Sequence, residues 1–296
     1  MKQAIWNLRR LFALRDAIEA LDLNAPPRAS VVYPETLPPV RRLGVLCGSF
    51  NPLTLAHTEL AERAQEAFGL DVVLLTLAKV TVDKEQVTGL SLEDRLLLLS
   101  LYAQRRGRTG VALVNRGLYF EQAQAFRSLC GATAELFFIV GMDKLMQILD
   151  PKYYQDRDAA LRQLFSLASL IVANRGVMAH EAFAQLLEQP ENRAYRQHIQ
   201  FCSLPETVTD VSATAVREDL AAGRAIESLT PEETAIFLAE TQAFRPPLCH
   251  GGAAVDAYAE RQKLLAALYA NREQEGQEVD FRALVHARTT LNERPS

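Results

Sequence analysis

The sequence predicts an α/β fold built on a parallel sheet. Short apolar runs at 43–47, 71–77 and 134–140 have the length and continuity of strands that are buried on both faces. Longer segments with helical periodicity separate these runs, and such alternation is typical of βαβ units. We therefore expect a mostly parallel sheet that is covered by helices on both faces.

The composition excludes several classes of protein. The chain has 296 residues, of which 49% are hydrophobic and 23% charged, with a net charge of −4, so it lacks the basic footprint of a nucleic-acid binder. No apolar run approaches the length of a membrane span, and we expect no membrane partner. The four cysteines are far apart and form no C-x-x-C pair, which favours reduced thiols in a cytoplasmic protein.

Composition shifts divide the chain into three segments. Residues 1–42 contain a predicted helix at 4–22, followed by prolines between 26 and 39 that indicate a linker or a surface arm. Residues 43–244 carry the alternating strands and helices, and the last predicted helix there is expected to be capped by Thr230. Residues 245–296 are expected to form a helical extension, with a helix at 253–270, that packs on the core or on another subunit, which leaves a homo-oligomer open.

The stretch from Gly48 to His57, GSFNPLTLAH, connects the strand 43–47 to a predicted helix at 54–68. Gly48 has no Cβ, so the backbone can approach a ligand closely there. Thr54 and His57 are three residues apart, which places them on one side of the helix. The amino end of a helix offers free N–H groups and a positive dipole end, and both suit phosphate.

A second polar constellation lies at 210–217, DVSATAVR. Ser212 can cap a helix, Thr214 lies in the first turn, and Arg217 follows on the same side. Hydroxyls, a helix amino end and a guanidinium together suit a triphosphate. The alternative is a well-capped surface helix with a stray Arg.

Together the two stretches resemble the signatures of the nucleotidyltransferase superfamily, the cytidylyltransferase-like proteins: G-x-F-x-P-x-[HT]-x-x-H and [IV]-S-[SA]-T-x-[IV]-R. The first is most similar to that of the nicotinamide/nicotinate mononucleotide adenylyltransferases, and the resemblance spans about residues 43–240. It implies a Rossmann-like three-layer fold. It also implies adenylyl transfer in NAD synthesis, in which the phosphate of the mononucleotide attacks the α-phosphorus of ATP and pyrophosphate leaves.

The resemblance also implies roles for individual residues. His57 and Thr54 would hold the α/β-phosphates and Arg217 the β/γ end, and these three are the catalytic candidates. Lys84 is a candidate phosphate contact, with Lys79 as its competitor. Mg²⁺ would be carried with ATP, and no protein metal site is expected. Nucleotide binding is assigned to Gly48, Ser49, Phe50, Asn51, Gly141, Asp143, Asn174, Arg175, Ser212 and Thr214.

Other functions remain open at this point. A degenerate, non-catalytic nucleotide sensor would keep the same motifs. A cysteine hydrolase built on Cys47 and His57 is less favoured, because Cys47 lies inside an apolar strand. Another phosphorylated acceptor, or CTP as donor, is the alternative within the superfamily. Asn51 and Thr54 resemble the amide-preferring branch, so the sequence predicts nicotinamide mononucleotide as the preferred acceptor and the nicotinate form as the second.

Overall fold

The computed structural model describes residues 1–80, 89–131, 133–174, 178–204, 211–250, 253–272 and 279–290. Within them the strands are β1 (Ala29–Tyr33), β2 (Arg42–Cys47), β3 (Val72–Ala78), β4 (Thr109–Val114), β5 (Glu135–Gly141), β6 (Ser169–Asn174), β7 (Ile199–Ser203), β8 (Leu248–His250) and β9 (Ala253–Val255). The α-helices are α1 (Lys2–Ile5), α2 (Leu8–Ala20), α3 (Leu55–Ala67), α4 (Leu92–Ala103), α5 (Tyr119–Cys130), α6 (Met142–Leu149), α7 (Arg157–Leu167), α8 (Met178–Glu188), α9 (Ala213–Ala221), α10 (Glu232–Thr241), α11 (Ala257–Ala270) and α12 (Phe281–Thr290). None of these helices is long and apolar enough to cross a membrane.

The main sheet has seven strands in the order β1-β4-β3-β2-β5-β6-β7. The strands from β2 to β7 pair in parallel, and β1 pairs antiparallel with β4 at one edge. The chain runs outward from β2 through β3 to β4 and then crosses to β5 on the other side of β2. The carboxyl ends of β2 and β5 therefore flank the topological switch point, where open α/β sheets bind their ligands.

Helices cover both faces of this sheet. Leu46, Leu75 and Ile139 point to one face and pack in a core with α1–α4 and α9–α12. Val45 and Phe138 point to the other face, where α5–α8 cover them. Successive strand residues face opposite sides, so each strand supplies apolar side chains to both layers. The prediction of a three-layer α/β fold with a mostly parallel sheet is confirmed.

Strand β1 was not predicted from the sequence. The prolines at 26–39 indicated a linker or an arm, but Ala29–Tyr33 pairs with β4, beginning with Ala29 opposite Val114. An edge strand tolerates proline beside it, because one side of the strand has no ladder partner. Part of segment 1–42 thus belongs to the core sheet.

The observed boundaries of two helices differ from the predicted ones, because polar residues cap the helices at other positions. The predicted helix 4–22 is divided into α1 and α2, because the side chain of Asn7 accepts the N–H of Arg10 at 3.1 Å and starts a new helix. The predicted helix 253–270 begins with β9, and α11 starts only after Asp256, which caps it.

Two further helices also differ from the prediction. Helix α6 was not predicted from the sequence. It starts directly at the end of β5, and no connecting loop separates the two elements. Thr230 was expected to cap α10, but its hydroxyl donates to the carbonyl of Ile226 at 3.1 Å, and Pro231 occupies the cap position.

Asn115, at the end of β4, fastens the arm that precedes β1. Its Oδ1 accepts the N–H of Arg28 at 2.8 Å, and its Nδ2 donates to the carbonyls of Asp22 at 2.8 Å and Pro26 at 3.1 Å. The residue is only 1% exposed. One buried amide therefore satisfies three backbone groups of the arm.

We expect Asn115→Ala to lower the free energy of unfolding by about 1–3 kcal/mol, because buried backbone groups lose their partners. Urea denaturation measures this loss. Asn271→Ala is the matched control, since the Asn271 amide is exposed and donates within its own helix region to Ala267 at 3.0 Å. We expect a change of about 0.5 kcal/mol or less for the control. Equal losses in both variants would contradict the fastening role of Asn115.

Candidate active site

The loop at 48–54 leaves β2 beside the switch point and leads into α3. The N–H of Gly48 donates to the carbonyl of Thr76 on β3 at 3.2 Å, which ties the start of the loop to the sheet. A Cβ at position 48 would lie 3.1 Å from the buried ring of Phe50, so a side chain there would press on that ring. Ser49 is exposed and Gly48 is half-buried, so this end of the loop is open to a ligand.

His57 has a defined tautomer. Its Nδ1 accepts the backbone N–H of Thr54 at 3.1 Å and lies 2.8 Å from the hydroxyl oxygen of Thr54. A backbone N–H can only donate, so Nδ1 must be an acceptor, and the proton of the neutral ring is on Nε2. The Thr54 hydroxyl therefore also donates to Nδ1. In the first turn of α3, His57 thus carries an N–H donor on Nε2, which suits a phosphate oxygen.

Two residues that were expected to contact the nucleotide instead support His57. Thr54 has no exposed surface, and its hydroxyl and N–H both point to the imidazole. Phe50 is also fully buried, with its ring edge-on to that of His57 at a centroid distance of 5.1 Å. In this arrangement the buried side chains of Thr54 and Phe50 hold the imidazole in one orientation.

The second constellation meets the first loop. Ser212 caps α9, since its Oγ accepts the N–H of Ala215 at 3.0 Å, as the sequence predicted. Arg217 donates through Nη2 to the hydroxyl of the exposed Thr214 at 3.0 Å and through Nη1 to the carbonyl of Asn51 at 2.8 Å. A surface helix with a stray Arg does not account for this contact, which joins residues 166 positions apart.

A second guanidinium holds the same loop from the side of α4. Arg95, which is 8% exposed, donates through Nη1 to the carbonyl of Ser49 at 3.1 Å. Burial lowers the pKa of Arg95. Two cationic side chains, Arg95 and Arg217, therefore lie against one loop, and the resulting positive potential suits a polyphosphate.

The side chain of Asn51 also stabilises the loop. It is 4% exposed, and its Oδ1 accepts the N–H of Leu90 at 2.9 Å. From the sequence, Asn51 was predicted to contact the nucleotide, and its bond to Leu90 was not expected. That bond spans 39 positions, and the sequence around Leu90 has no signal for it.

Three more predicted residues lie at the carboxyl edge of the sheet. Gly141 ends β5, next to β2, and caps α6 in an ordinary extended conformation with open space around it. Asp143 is exposed in the first turn of α6, at the switch point. Asn174 ends β6 at the same edge. Asp143 is therefore accessible to a ligand, while no contact with the described residues requires a glycine at 141.

The predicted cationic contacts have different outcomes. Lys84 and Arg175 lie outside the described residues. Lys79, the competitor of Lys84, donates through Nζ to the carbonyls of Ile18 at 2.6 Å and Leu21 at 2.8 Å. Lys79 therefore satisfies the last carbonyls of α2, which is a structural role.

Cys47 does not have the properties of a nucleophile. Its thiol donates to Oε1 of Gln122 at 3.1 Å. Burial raises the pKa of the Cys47 thiol to about 12, and the nearby Lys144 offsets only part of this effect. Only the thiolate attacks or binds metals, so this thiol is inert at neutral pH. The geometry gives no support to a cysteine hydrolase.

The site offers donors rather than metal ligands. In the described ranges, no group of three or more His, Cys, Asp or Glu side chains is arranged to hold a metal ion. The polar groups that meet at the loop are an imidazole, hydroxyls and guanidiniums. This donor set fits the phosphate oxygens of a nucleotide rather than a bare divalent cation.

The model of the cytidylyltransferase-like family matches residues 45–219, a span that contains both constellations. The chain belongs to the cytidylyltransferase-like family. It is therefore a nucleotidyltransferase, and the loop, His57 and Arg217 lie within the span that the family shares.

Curated relatives extend this match. A protein of Bordetella pertussis named probable nicotinate-nucleotide adenylyltransferase is 30% identical over 210 residues, which cover 70% of this chain and 99% of that protein. A protein of Desulfatibacillum aliphaticivorans with the same name is 29% identical over 217 residues, covering 67% and 96%. A structure of Plasmodium falciparum nicotinic acid mononucleotide adenylyltransferase complexed with NaAD aligns with a TM-score of 0.50 at 12% identity, covering 68% of this chain and 95% of that chain. The similarity to this structure supports the fold.

We expect Cys47 in this nucleotidyltransferase to react with iodoacetamide at pH 8 about 10³-fold more slowly than an ordinary thiol, because its raised pKa leaves a far smaller fraction as thiolate. The rate should rise with pH, because the pKa of the thiol is raised to about 12 and the thiolate fraction grows with each step of pH below it. Mass spectrometry of the labelled peptide measures this rate. The same protein in concentrated urea is the control, in which Cys47 should react normally. Rapid labelling of the native protein would contradict the buried thiol.

Proposed function

We propose that this chain transfers the AMP moiety of MgATP to nicotinate mononucleotide and releases pyrophosphate, a step of NAD synthesis in the cytoplasm. The observation that carries the proposal is the contact of Arg217 with the carbonyl of Asn51 at 2.8 Å. It brings two phosphate-binding constellations together at the switch point of the sheet. The names of the curated relatives support the same chemistry.

The donors are arranged for a chain of phosphates. His57 carries its N–H on Nε2 at the amino end of α3, Thr214 lies in the first turn of α9, and Arg217 follows about one turn later. Both helices direct their positive dipole ends toward the loop region, so a triphosphate that spans them meets N–H groups, a hydroxyl and a guanidinium. We assign His57 to the α-phosphate side and α9 to the β/γ side.

The chemistry needs no covalent nucleophile, because the phosphate of the mononucleotide is itself one. The chain has to hold two anions in line despite their repulsion, and to stabilise the charge that grows on the α-phosphate and on the leaving pyrophosphate. His57 donates to the first, and Arg217 compensates the second. Mg²⁺ enters as part of the MgATP substrate.

The choice of acceptor departs from the sequence-based prediction. The first motif favoured nicotinamide mononucleotide, whereas the curated relatives are named for the nicotinate form. Residues 81–88, which include the candidate phosphate contact Lys84, lie outside the described residues. We therefore follow the relatives and propose nicotinate mononucleotide as the preferred acceptor.

Several assignments stay predictions. Asp143, which is exposed at the switch point, is proposed to bind ribose hydroxyls through its carboxylate. Lys84 is proposed to contact phosphate, and Asn174 with Arg175 to bind the adenine side. Association into a homo-oligomer also stays a prediction.

We expect His57→Ala to reduce kcat by about 10²–10³ at saturating MgATP, because a donor to the charge of the transition state is lost. Pyrophosphate release measures kcat. His198→Ala is the matched control. His198 directly precedes the amino end of β7, whereas the site lies at the carboxyl ends of the strands, and its ring stacks on Phe165. The control should keep its activity. A folded His57→Ala variant with near-normal kcat would remove His57 from the reaction.

We expect kcat/KM for nicotinate mononucleotide to exceed that for nicotinamide mononucleotide by about 10²-fold or more, because a site that binds one polar group rejects the analogue that leaves it unpaired. Pyrophosphate release with both acceptors at saturating MgATP tests this directly. A clear preference for the nicotinamide form would restore the sequence-based prediction. Binding of ATP without turnover of either acceptor would instead indicate a nucleotide sensor.

A further inference from the structure

Helix α11 lies outside the span matched by the family model, yet it contacts the segment that supports the nucleotide loop. Two consecutive backbone N–H groups show this link. The N–H of Leu90 donates to Oδ1 of Asn51 in the loop at 2.9 Å. The N–H of Ser91 donates to the hydroxyl oxygen of Tyr258 on α11 at 2.9 Å. The two residues just before α4 thus join the loop to the C-terminal extension.

Asp94, in the first turn of α4, is the centre of a buried cluster. Its Oδ2 accepts from the hydroxyl of Tyr258 at 2.7 Å, from Nη1 of Arg261 at 2.6 Å and from Nε2 of Gln262 at 2.6 Å. The side chains of Asp94 and Arg261 have no exposed surface. Breaking such a pair leaves a charge buried without compensation, so the start of α4 is fixed firmly to α11.

The next residue along the helix holds the loop. Arg95 donates to the carbonyl of Ser49 at 3.1 Å, while its neighbour Asp94 binds α11. A helix moves as a rigid body over one turn, so a displacement of Asp94 also displaces Arg95. Leu90 lies just before α4, and its neighbour Ser91 is bound to Tyr258 of α11. The two anchors of the loop on this side, Arg95 and Leu90, therefore depend on the position that α11 gives to α4.

We propose that Tyr258 and Arg261 are positioning residues for ATP binding, which act through Asp94 and the start of α4 on the loop at 48–54. The inference rests on the proposed function, since it takes that loop as the site for ATP. Neither residue needs to touch the nucleotide. The C-terminal extension is then part of the machinery that shapes the site, rather than a separate appendage.

The far end of α11 supplies a matched comparison. The hydroxyl oxygen of Tyr269 lies 2.5 Å from Oδ1 of Asp16 and 2.8 Å from Oε2 of Glu19, and its one proton is directed to this carboxylate pair, so it fastens α11 to α2. Tyr258 and Tyr269 thus both join one helix to the core through a phenol hydroxyl and a carboxylate. Only the bonds of Tyr258 lead to the segment that holds the loop.

The test compares Tyr258→Phe with Tyr269→Phe in the full chain. Calorimetric titration with MgATP, without acceptor, gives the dissociation constant, and thermal unfolding gives the Tm. We expect Tyr258→Phe to weaken ATP binding about threefold to tenfold, as for the loss of one hydrogen bond, and to raise KM for ATP with kcat unchanged. Tyr269→Phe should bind ATP like the unsubstituted chain, even where its Tm falls.

Arg261 provides a second comparison. Arg261→Lys keeps a cation for Asp94, whereas Arg261→Met removes it, so we expect the Lys variant to retain more ATP affinity than the Met variant. If Arg261→Met does not fold, Tyr258→Phe still decides. ATP affinity and KM in Tyr258→Phe equal to those of the unsubstituted chain and of Tyr269→Phe would overturn this inference alone. Failure of the unsubstituted chain to bind MgATP would overturn the proposed function, and this inference with it.

Discussion

The loop between β2 and α3 is held in place by hydrogen bonds from side chains that are far away in the sequence. A backbone carbonyl removed from water needs a donor, and here the donors are guanidinium groups. Arg217 binds the carbonyl of Asn51 and Arg95 binds that of Ser49. These bonds fix the loop and also bring positive charge to it, so the interactions that set the conformation of the loop supply the charge that the proposed phosphate binding needs.

The imidazole depends on the same arrangement. The backbone N–H and hydroxyl of Thr54 determine which nitrogen of His57 carries the proton, and the buried ring of Phe50 limits its orientation. A donor that is already oriented loses little free energy to reorganisation when charge develops beside it. Thr54 and Phe50 have no exposed surface, so their role in this structure is to orient His57.

Much of the architecture could be predicted from sequence, because alternating apolar runs and helical periods are local signals. Strand β1 was missed because five residues between prolines give little periodicity, and its pairing depends on β4, more than seventy positions later. At the site, the spacing of Thr54 and His57 placed both on one side of α3. The spacing alone does not show which of the two side chains is available to a ligand. The hydrogen bond between them shows it, because that bond directs the Thr54 hydroxyl to the imidazole. The contact of Tyr258 with Ser91 spans 167 positions and had no signal at either end.

The two ends of the described chain pack against each other. Arg261 donates to the carbonyl of Ile5 at 3.4 Å across 256 positions, and the ring of Trp6 lies edge-on to that of Phe281 at 5.7 Å. The ribosome makes Ile5 256 positions before Arg261, so the apolar surface around Ile5 stays uncovered until α11 and α12 have been synthesised. This helical layer therefore closes only after the strands of the main sheet have been made. An interrupted translation product would keep the strands of the sheet but expose the face that α11 and α12 cover, and such a surface attracts chaperones and invites aggregation.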